Sequence, residues 1–488
     1  MPGGSFDPRS LFSGEAFEEL LNTWGRFLAR YLRAVPHGPV MKWDEPEALA
    51  ERLGEADFEE GVAPGEVIKW FEKEVLPFCQ HHFHRLVAGH MIGTPLPMAV
   101  AADVAANLLN QGMGIWEVAP GPVALTQQLV RYFLDKSGFG PGADGILTTG
   151  GTEANLTALL AARSRLYGPE ARERGIPQGE RPVVLASELS HYSIARSAGV
   201  IGIGRRNVLR VPADELFRMN VKELERMADG LQREGRRILC VCAVSGSTSV
   251  GSFDPLEEIA CACRKRGLFL HIDGAHGASA MLSDRHRHLL AGVSEADSLT
   301  WDPHKMLFVP GVLGMLLVKD GTMLSEVFDE RPSYLFSRKA EDQPRWNFLR
   351  KNLRCTQRFD ALKLWAALKF YGRKTFARLI DTTVARAEAL WKRLCEEKCF
   401  EPLVKPSFNI VCFRYVPQSG GGLSEEKLDF LQEEIRTGLL REGSAWITTT
   451  RVRERVYLRI TVMNPMTEEK DIEELLGLIR SRGRALRG

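Results

Sequence analysis

From about residue 118 to 372 the chain alternates short apolar runs with amphipathic stretches of helical period. This rhythm constrains the fold more than any other feature. Parallel neighbours in a sheet need a long crossover, so the alternation builds a mostly parallel sheet with helices on both faces. Strands are predicted at 145–149, 182–187, 207–211, 237–244, 268–273, 298–302 and 312–318, with helices near 153–167, 190–198, 221–234 and 255–266.

The pattern changes on either side. Residues 11–117 carry helical periodicity at 16–34, 45–53, 64–75 and 97–109 without a strand signal. The last part opens on a helix at 374–395, continues with strands near 408–415, 445–449 and 456–462, and closes on a helix at 468–480. Three parts are expected: a helical N-terminal dimerisation segment (1–117), a large α/β domain (118–372) and a small α+β C-terminal domain (373–488). A Ser/Gly stretch at 419–422 is the one linker-like segment.

Composition excludes several classes of function. Lys+Arg 64 against Asp+Glu 62 leaves a formal charge of +2, so no global field favours nucleic acid or an anionic membrane. Even the apolar stretch 96–109 is interrupted by Asp103, and the first thirty residues lack a basic stretch followed by an apolar run. A soluble cytoplasmic protein is expected. Its nine cysteines, spread from Cys79 to Cys412, are expected to be reduced.

Open parallel sheets bind ligands beyond the carboxyl ends of their strands, so polar residues at those ends come first. At 147–155 (Leu-Thr-Thr-Gly-Gly-Thr-Glu-Ala-Asn) a strand, two glycines and a Thr open a helix, either a phosphate socket or plain N-capping by Thr152. Asp273 ends the run 268–273 and is followed by small residues; it is a cap or a ligand contact. Lys305 follows the run 298–302, where burial would lower an ammonium pKa and permit imine formation, although a surface lysine fits as well. His191 follows the run 182–187, and a lone histidine is usually structural. Together the four meet the requirements of pyridoxal 5'-phosphate: a phosphate socket, a lysine for the aldehyde, an acid for the pyridine nitrogen and a flat ring to stack on it.

The runs 149–155 (Thr-Gly-Gly-Thr-Glu-Ala-Asn), 191–193 (His-Tyr-Ser), 246–254 (Gly-Ser-Thr-Ser-Val-Gly-Ser-Phe-Asp), 271–275 (His-Ile-Asp-Gly-Ala) and 302–305 (Asp-Pro-His-Lys) resemble the group II pyridoxal-dependent amino-acid decarboxylases. That family includes the glutamate, cysteine-sulfinate, diaminobutyrate and aromatic-amino-acid enzymes. The resemblance runs in order from about residue 80 to the C terminus. It implies an α/β, fold-type I transferase-like architecture, a homodimer, and loss of carbon dioxide from an L-amino acid. By the same resemblance Lys305 tethers the cofactor, Asp273 pairs with its ring nitrogen, and His191 stacks on the ring. Gly151, Thr152 and His304 contact the phosphate, Ala275 packs beneath the ring, Thr248 faces its phenolic side or the substrate, and Arg459 lies near the substrate carboxylate. Gly112 and Gly114 fall in the family's pocket-lining stretch, where they open space or form a tight turn. The motif spellings point to an acidic or short polar amino acid.

One departure from the family concerns the proton returned to the substrate carbon. Members place a tyrosine in a mobile loop, but residues 337–354 hold none, and Trp346 and Phe348 are their only aromatics. Tyr334, His191 or a water is left as donor. Without a donor, oxygen captures the carbanion and yields an aldehyde, so an aldehyde synthase or carbon–carbon lyase is the alternative activity. The non-enzyme alternative, a decayed regulatory relative, is opposed by the presence of Lys305, Asp273 and His191. His81, His82 and His84 lack partners at metal-ligand spacing, and no metal is expected. Trp24, Phe27, Leu28 and Tyr31 give the N-terminal helix an apolar face for a second subunit.

Overall fold

The computed structural model describes residues 8–55, 57–330, 332, 344–418 and 423–486. Seven strands form the central sheet: β1 (Asp144–Thr148), β2 (Val183–Ser187), β3 (Val208–Val211), β4 (Ile238–Val244), β5 (Leu270–Asp273), β6 (Ser298–Trp301) and β7 (Gly314–Val318). Their order is β1-β7-β6-β5-β4-β2-β3. The run from β3 to β6 is parallel, while β7 is antiparallel to both β1 and β6. Every residue of β2, β4, β5, β6 and β7 is buried, because helices cover both faces. Hence β4 and β7 read as unbroken apolar runs, whereas β5 (Leu-His-Ile-Asp) and β6 (Ser-Leu-Thr-Trp) alternate because their polar residues share one buried face.

A second, antiparallel sheet lies in the C-terminal part, with β8 (Phe400–Pro402), β9 (Ile410–Tyr415), β10 (Thr448–Val452) and β11 (Arg455–Thr461) in the order β10-β11-β9-β8. Helices Arg373–Glu396, Glu425–Arg441 and Glu469–Ala485 accompany it. The expected strand at 445–449 begins later, at Thr448, because the apolar residues before it are used elsewhere. Trp446 accepts from the Ala88 amide and donates to the Leu86 carbonyl, joining the N-terminal part to the end of β10. Periodicity also passes over the helices Pro120–Ser137, Thr322–Phe328, Ala361–Tyr371 and Glu425–Arg441, and the single turn Ala171–Arg174. The helix expected at 64–75 breaks into Pro64–Trp70 and a π-helical turn, Phe71–Val75. The 419–422 stretch lies outside the described residues.

The sheet is anchored beneath the site by Trp301, fully buried, which packs edge-on to Phe133 at 4.6 Å and donates from Nε1 to Ser279 Oγ at 2.9 Å. At the β1–β7 edge, Gly314 is enclosed. A Cβ there would lie 2.6 Å from the Gly150 α-carbon, 2.6 Å from Thr148 Oγ1 and 2.7 Å from Asp302 Oδ1. Two of those neighbours are backbone or a buried carboxylate, so little can yield. Gly314→Ala is expected to cost about 1–3 kcal/mol by overpacking; a urea midpoint equal to the parent's would show that the turn after β1 gives way instead.

Candidate active site

A cavity of about 310 Å³ opens beyond the carboxyl ends of β1, β4, β5 and β6. Gly151, Thr152, His191, Thr248, Asp273, Ala275, His304 and Lys305 all line it, joined by Glu153, Asn155, His276 and Asp302. At its β1 end the backbone turns at Gly150, whose φ of 140° is open to glycine, and enters the helix Gly151–Tyr167. The capping position is Gly150, without a side-chain bond, so Thr152 is not the N-cap. Instead Glu153 holds the turn: its carboxylate accepts from the Thr149 amide and hydroxyl, both at 2.7 Å. Arg354 clamps the same carboxylate at 3.0 Å and also donates to the Leu147 carbonyl at 2.9 Å.

At the opposite wall Lys305 Nζ lies 3.2 Å from Asp302 Oδ2. Asp302 is buried, and its Oδ1 has no hydrogen-bond partner among the described residues. His304 Nδ1 sits 2.7 Å from the Leu313 carbonyl, and burial pushes its imidazole pKa down. Gly93 lets the N-terminal segment approach this wall, since a Cβ there would come within 2.4 Å of the Lys305 carbonyl oxygen.

Asp273 occupies the floor. Its Oδ1 accepts from the Ala275 amide at 3.2 Å and its Oδ2 from Asn155 Nδ2 at 2.9 Å. His191 Nδ1 lies 2.9 Å from Ser193 Oγ and accepts from the Ser193 amide at 3.3 Å, which leaves the ring proton on Nε2. Burial lowers the His191 pKa, opposed by the Asp273 charge. Behind the wall, burial drives two further imidazoles down, His271 to about 4 and His276 to about 3. His276 Nε2 is 2.7 Å from Asn409 Oδ1, and the charges of Lys305 and Arg459 also act on it.

The remaining sequence-derived residues fall elsewhere. Arg459, on β11, is buried, donating to the Gly89 carbonyl at 3.1 Å and to Thr461 Oγ1 at 3.2 Å. It forms no ion pair with any described carboxylate, and burial lowers its pKa. Gly112 and Gly114 are set away from the cavity: the Gly114 amide bonds the Gly112 carbonyl in a tight turn, and a Cβ at Gly114 would meet the Cys355 carbonyl at 2.8 Å. Tyr334 lies outside the described residues. His81 Nδ1 pairs with the Tyr31 hydroxyl, and His84 Nδ1 accepts from the Leu86 amide. Among the described residues no His, Cys, Asp and Glu group is arranged to hold a metal. Asn155, Glu153, His276 and Arg354 were not singled out as site residues from the sequence. The first two lie inside the glycine-containing motif, which was their only signal.

Residues 46–416 match the family described as "Pyridoxal-dependent decarboxylase conserved domain". The chain is 29% identical over 443 residues to the aromatic-L-amino-acid decarboxylase of Bacillus atrophaeus, covering 91% of this chain and 90% of the relative. It is 31% identical over 454 residues to the cysteine sulfinic acid decarboxylase of Mus musculus, covering 92% of each. A crystal structure of mouse CSAD superposes with a TM-score of 0.90 at 28% identity, over 96% of this chain and 99% of that one.

The two buried imidazoles carry a pH signature. An unfolded histidine titrates near pH 6.5, above the folded values of about 4 and about 3 for His271 and His276. The unfolded state therefore binds more protons below that point. This contribution to stability is complete above about pH 6.5 and falls as pH drops, by about 1.4 kcal/mol per pH unit for each proton. His276→Gln is expected to flatten the fall in urea midpoint between about pH 6.5 and about pH 4.5 by close to one proton; a slope matching the parent's would contradict the buried neutral assignment.

Proposed function

The chain belongs to the pyridoxal-dependent decarboxylases, and from that premise we propose that it converts a short L-amino acid with an acidic or polar side chain to its amine and carbon dioxide. The cavity suits the cofactor by the chemistry of its donors. A primary amine stands beside a buried carboxylate with an unpartnered oxygen, and a second carboxylate lies on the floor. Backbone at Gly151 passes where a Cβ would press to 3.1 Å from Asp302 Oδ2 and 3.2 Å from Ala275 Cβ. When bound, pyridoxal 5'-phosphate supplies a ring that accepts the electron pair left by the departing carboxylate.

The residues divide the remaining work. Lys305 would tether the cofactor, and Asp273 would pair with its ring nitrogen. His191 and Ala275 would hold the ring, and Thr248 would serve the ring or the substrate. Gly151, Thr152 and His304 would hold the phosphate. Arg459 orients the substrate carboxylate. The observation that carries this last assignment is its buried guanidinium, which lacks an ion pair among the described residues and is stabilised by an incoming anion. Similarity to a cysteine sulfinic acid decarboxylase supports a short acidic substrate. The proton returned to the substrate carbon comes from Tyr334, from a water, or from His191, whose Nε2 holds the ring proton.

The enzyme works as a cytoplasmic homodimer in this reading. Within one chain the helix Gly14–Ala34 buries Phe27 against Trp24 and Phe71, yet Leu20, Leu21, Leu28 and Leu32 remain exposed. No helix among the described residues is long and apolar enough to cross a membrane, and all nine cysteines are free thiols.

Incubating the cofactor-loaded protein with single amino acids, while recording carbon dioxide, amine, aldehyde and peroxide, tests the reaction. Cysteine sulfinate, aspartate and glutamate should outpace aromatic amino acids and give amine. The absence of a tyrosine from 337–354 favours one other outcome, aldehyde with peroxide, which would reject simple decarboxylation. Lys305→Ala should abolish both turnover and the visible absorbance of the tethered cofactor. Arg459→Met should lower kcat/KM about 30-fold or more, the effect of truncating one partner of a buried charge pair; an unchanged value would remove Arg459 from the substrate site. Sedimentation at micromolar concentration should give a dimer, and a monomer would refute the proposed assembly.

A further inference from the structure

We infer that Asn155, oriented by His271, is the positioning residue that sets the Asp273 carboxylate and the His191 imidazole together. The inference rests on the reading of Asp273 and His191 given above. Parallel pairing of β5 with β6 places His271 opposite Ser298 and Asp273 opposite Thr300, all on one buried face beneath the helix that carries Asn155. Polar groups there are costly unless every one is satisfied.

Asn155 uses its whole hydrogen-bonding capacity. Its Nδ2 donates to Asp273 Oδ2 and to Ser193 Oγ, each at 2.9 Å. Its Oδ1 faces His271 Nε2 at 2.9 Å and accepts from Thr300 Oγ1 at 2.8 Å. An ionised carboxylate only accepts, so the amide must turn its NH₂ toward Asp273 and its oxygen toward His271. His271 Nε2 must then donate, which leaves Nδ1 to accept from Ser298 Oγ at 2.9 Å. Complete burial keeps that imidazole neutral. On the other branch, Ser193 Oγ accepts from Asn155 and its hydroxyl donates to His191 Nδ1. One polarity thus runs from Ser298 through His271 and Asn155 to both groups in the cavity. Neither His271 nor Asn155 is a stacking or tethering group, so both act through others.

The test compares binding of two probes to the full-length apoprotein: pyridoxal 5'-phosphate and its benzene analogue, which keeps the aldehyde, phenol and phosphate but lacks the ring nitrogen. The parent should prefer the natural cofactor. In Asn155→Ala that preference should shrink about tenfold, the effect of losing a hydrogen bond to a charged group, while affinity for the analogue stays close to the parent's. His271→Leu should behave like Asn155→Ala. His271→Gln, which retains an N–H donor, should restore most of the preference. If Asn155→Ala does not fold, the His271 pair gives the same reading. Equal loss for both probes, or full preference in Asn155→Ala and His271→Leu, would overturn the inference alone. A parent that binds both probes equally would reject the Asp273–ring nitrogen assignment, and this inference with it.

Discussion

The parallel pairing of β5 with β6 is the interaction on which the site depends. Register alone brings Asp273 beside Thr300. One residue past Trp301, at the end of β6, the chain delivers Asp302, and a single turn later Lys305, whose amide bonds the Asp302 carbonyl at 3.0 Å. Two carboxylates and an amine from separate strands therefore meet without any long loop having to be ordered. Because both strands are wholly buried, slippage by one residue would turn Asp273 and His271 to the other face.

Burial also simplifies the charges. His191, His271, His276 and His304 all have imidazole pKa values pushed down by desolvation. Neutral rings around the cavity leave Lys305, Asp302, Asp273 and the Arg354-clamped Glu153 as its ionic groups, with Arg459 behind His276. A field made by so few charges is well suited to steering a small zwitterion, because each interacts across a low-dielectric wall rather than through water.

Much of this was legible from residue order. Strand β4 is a continuous apolar run, and a polar residue at the carboxyl end of a buried parallel strand has few roles, so Asp273, Lys305, His191 and the turn at Gly151 stood out. What stayed hidden depends on contacts between distant segments. Asn155 reads as an ordinary helical residue, and its hub position exists only once His271 and Thr300 arrive beneath it. Glu153 and Arg354 meet across a separation that no periodicity encodes. The antiparallel direction of β7 was equally invisible, because a fully buried strand has the same composition whichever way it runs. At 445–449 the apolar signal was real but was divided between β10 and the pairing with Leu86 and Ala88.

That last pairing has a consequence for how the chain can be cut. Strand β10 is the outer member of the C-terminal sheet, and the bridge between Val87 and Trp446 covers the approach to its free side. Unpaired strand borders recruit other chains. A proteolytic fragment beginning beyond His90, whose ring lies 4.5 Å from that of Trp446, would bare this border together with the indole, turning a shielded rim into an adhesive one.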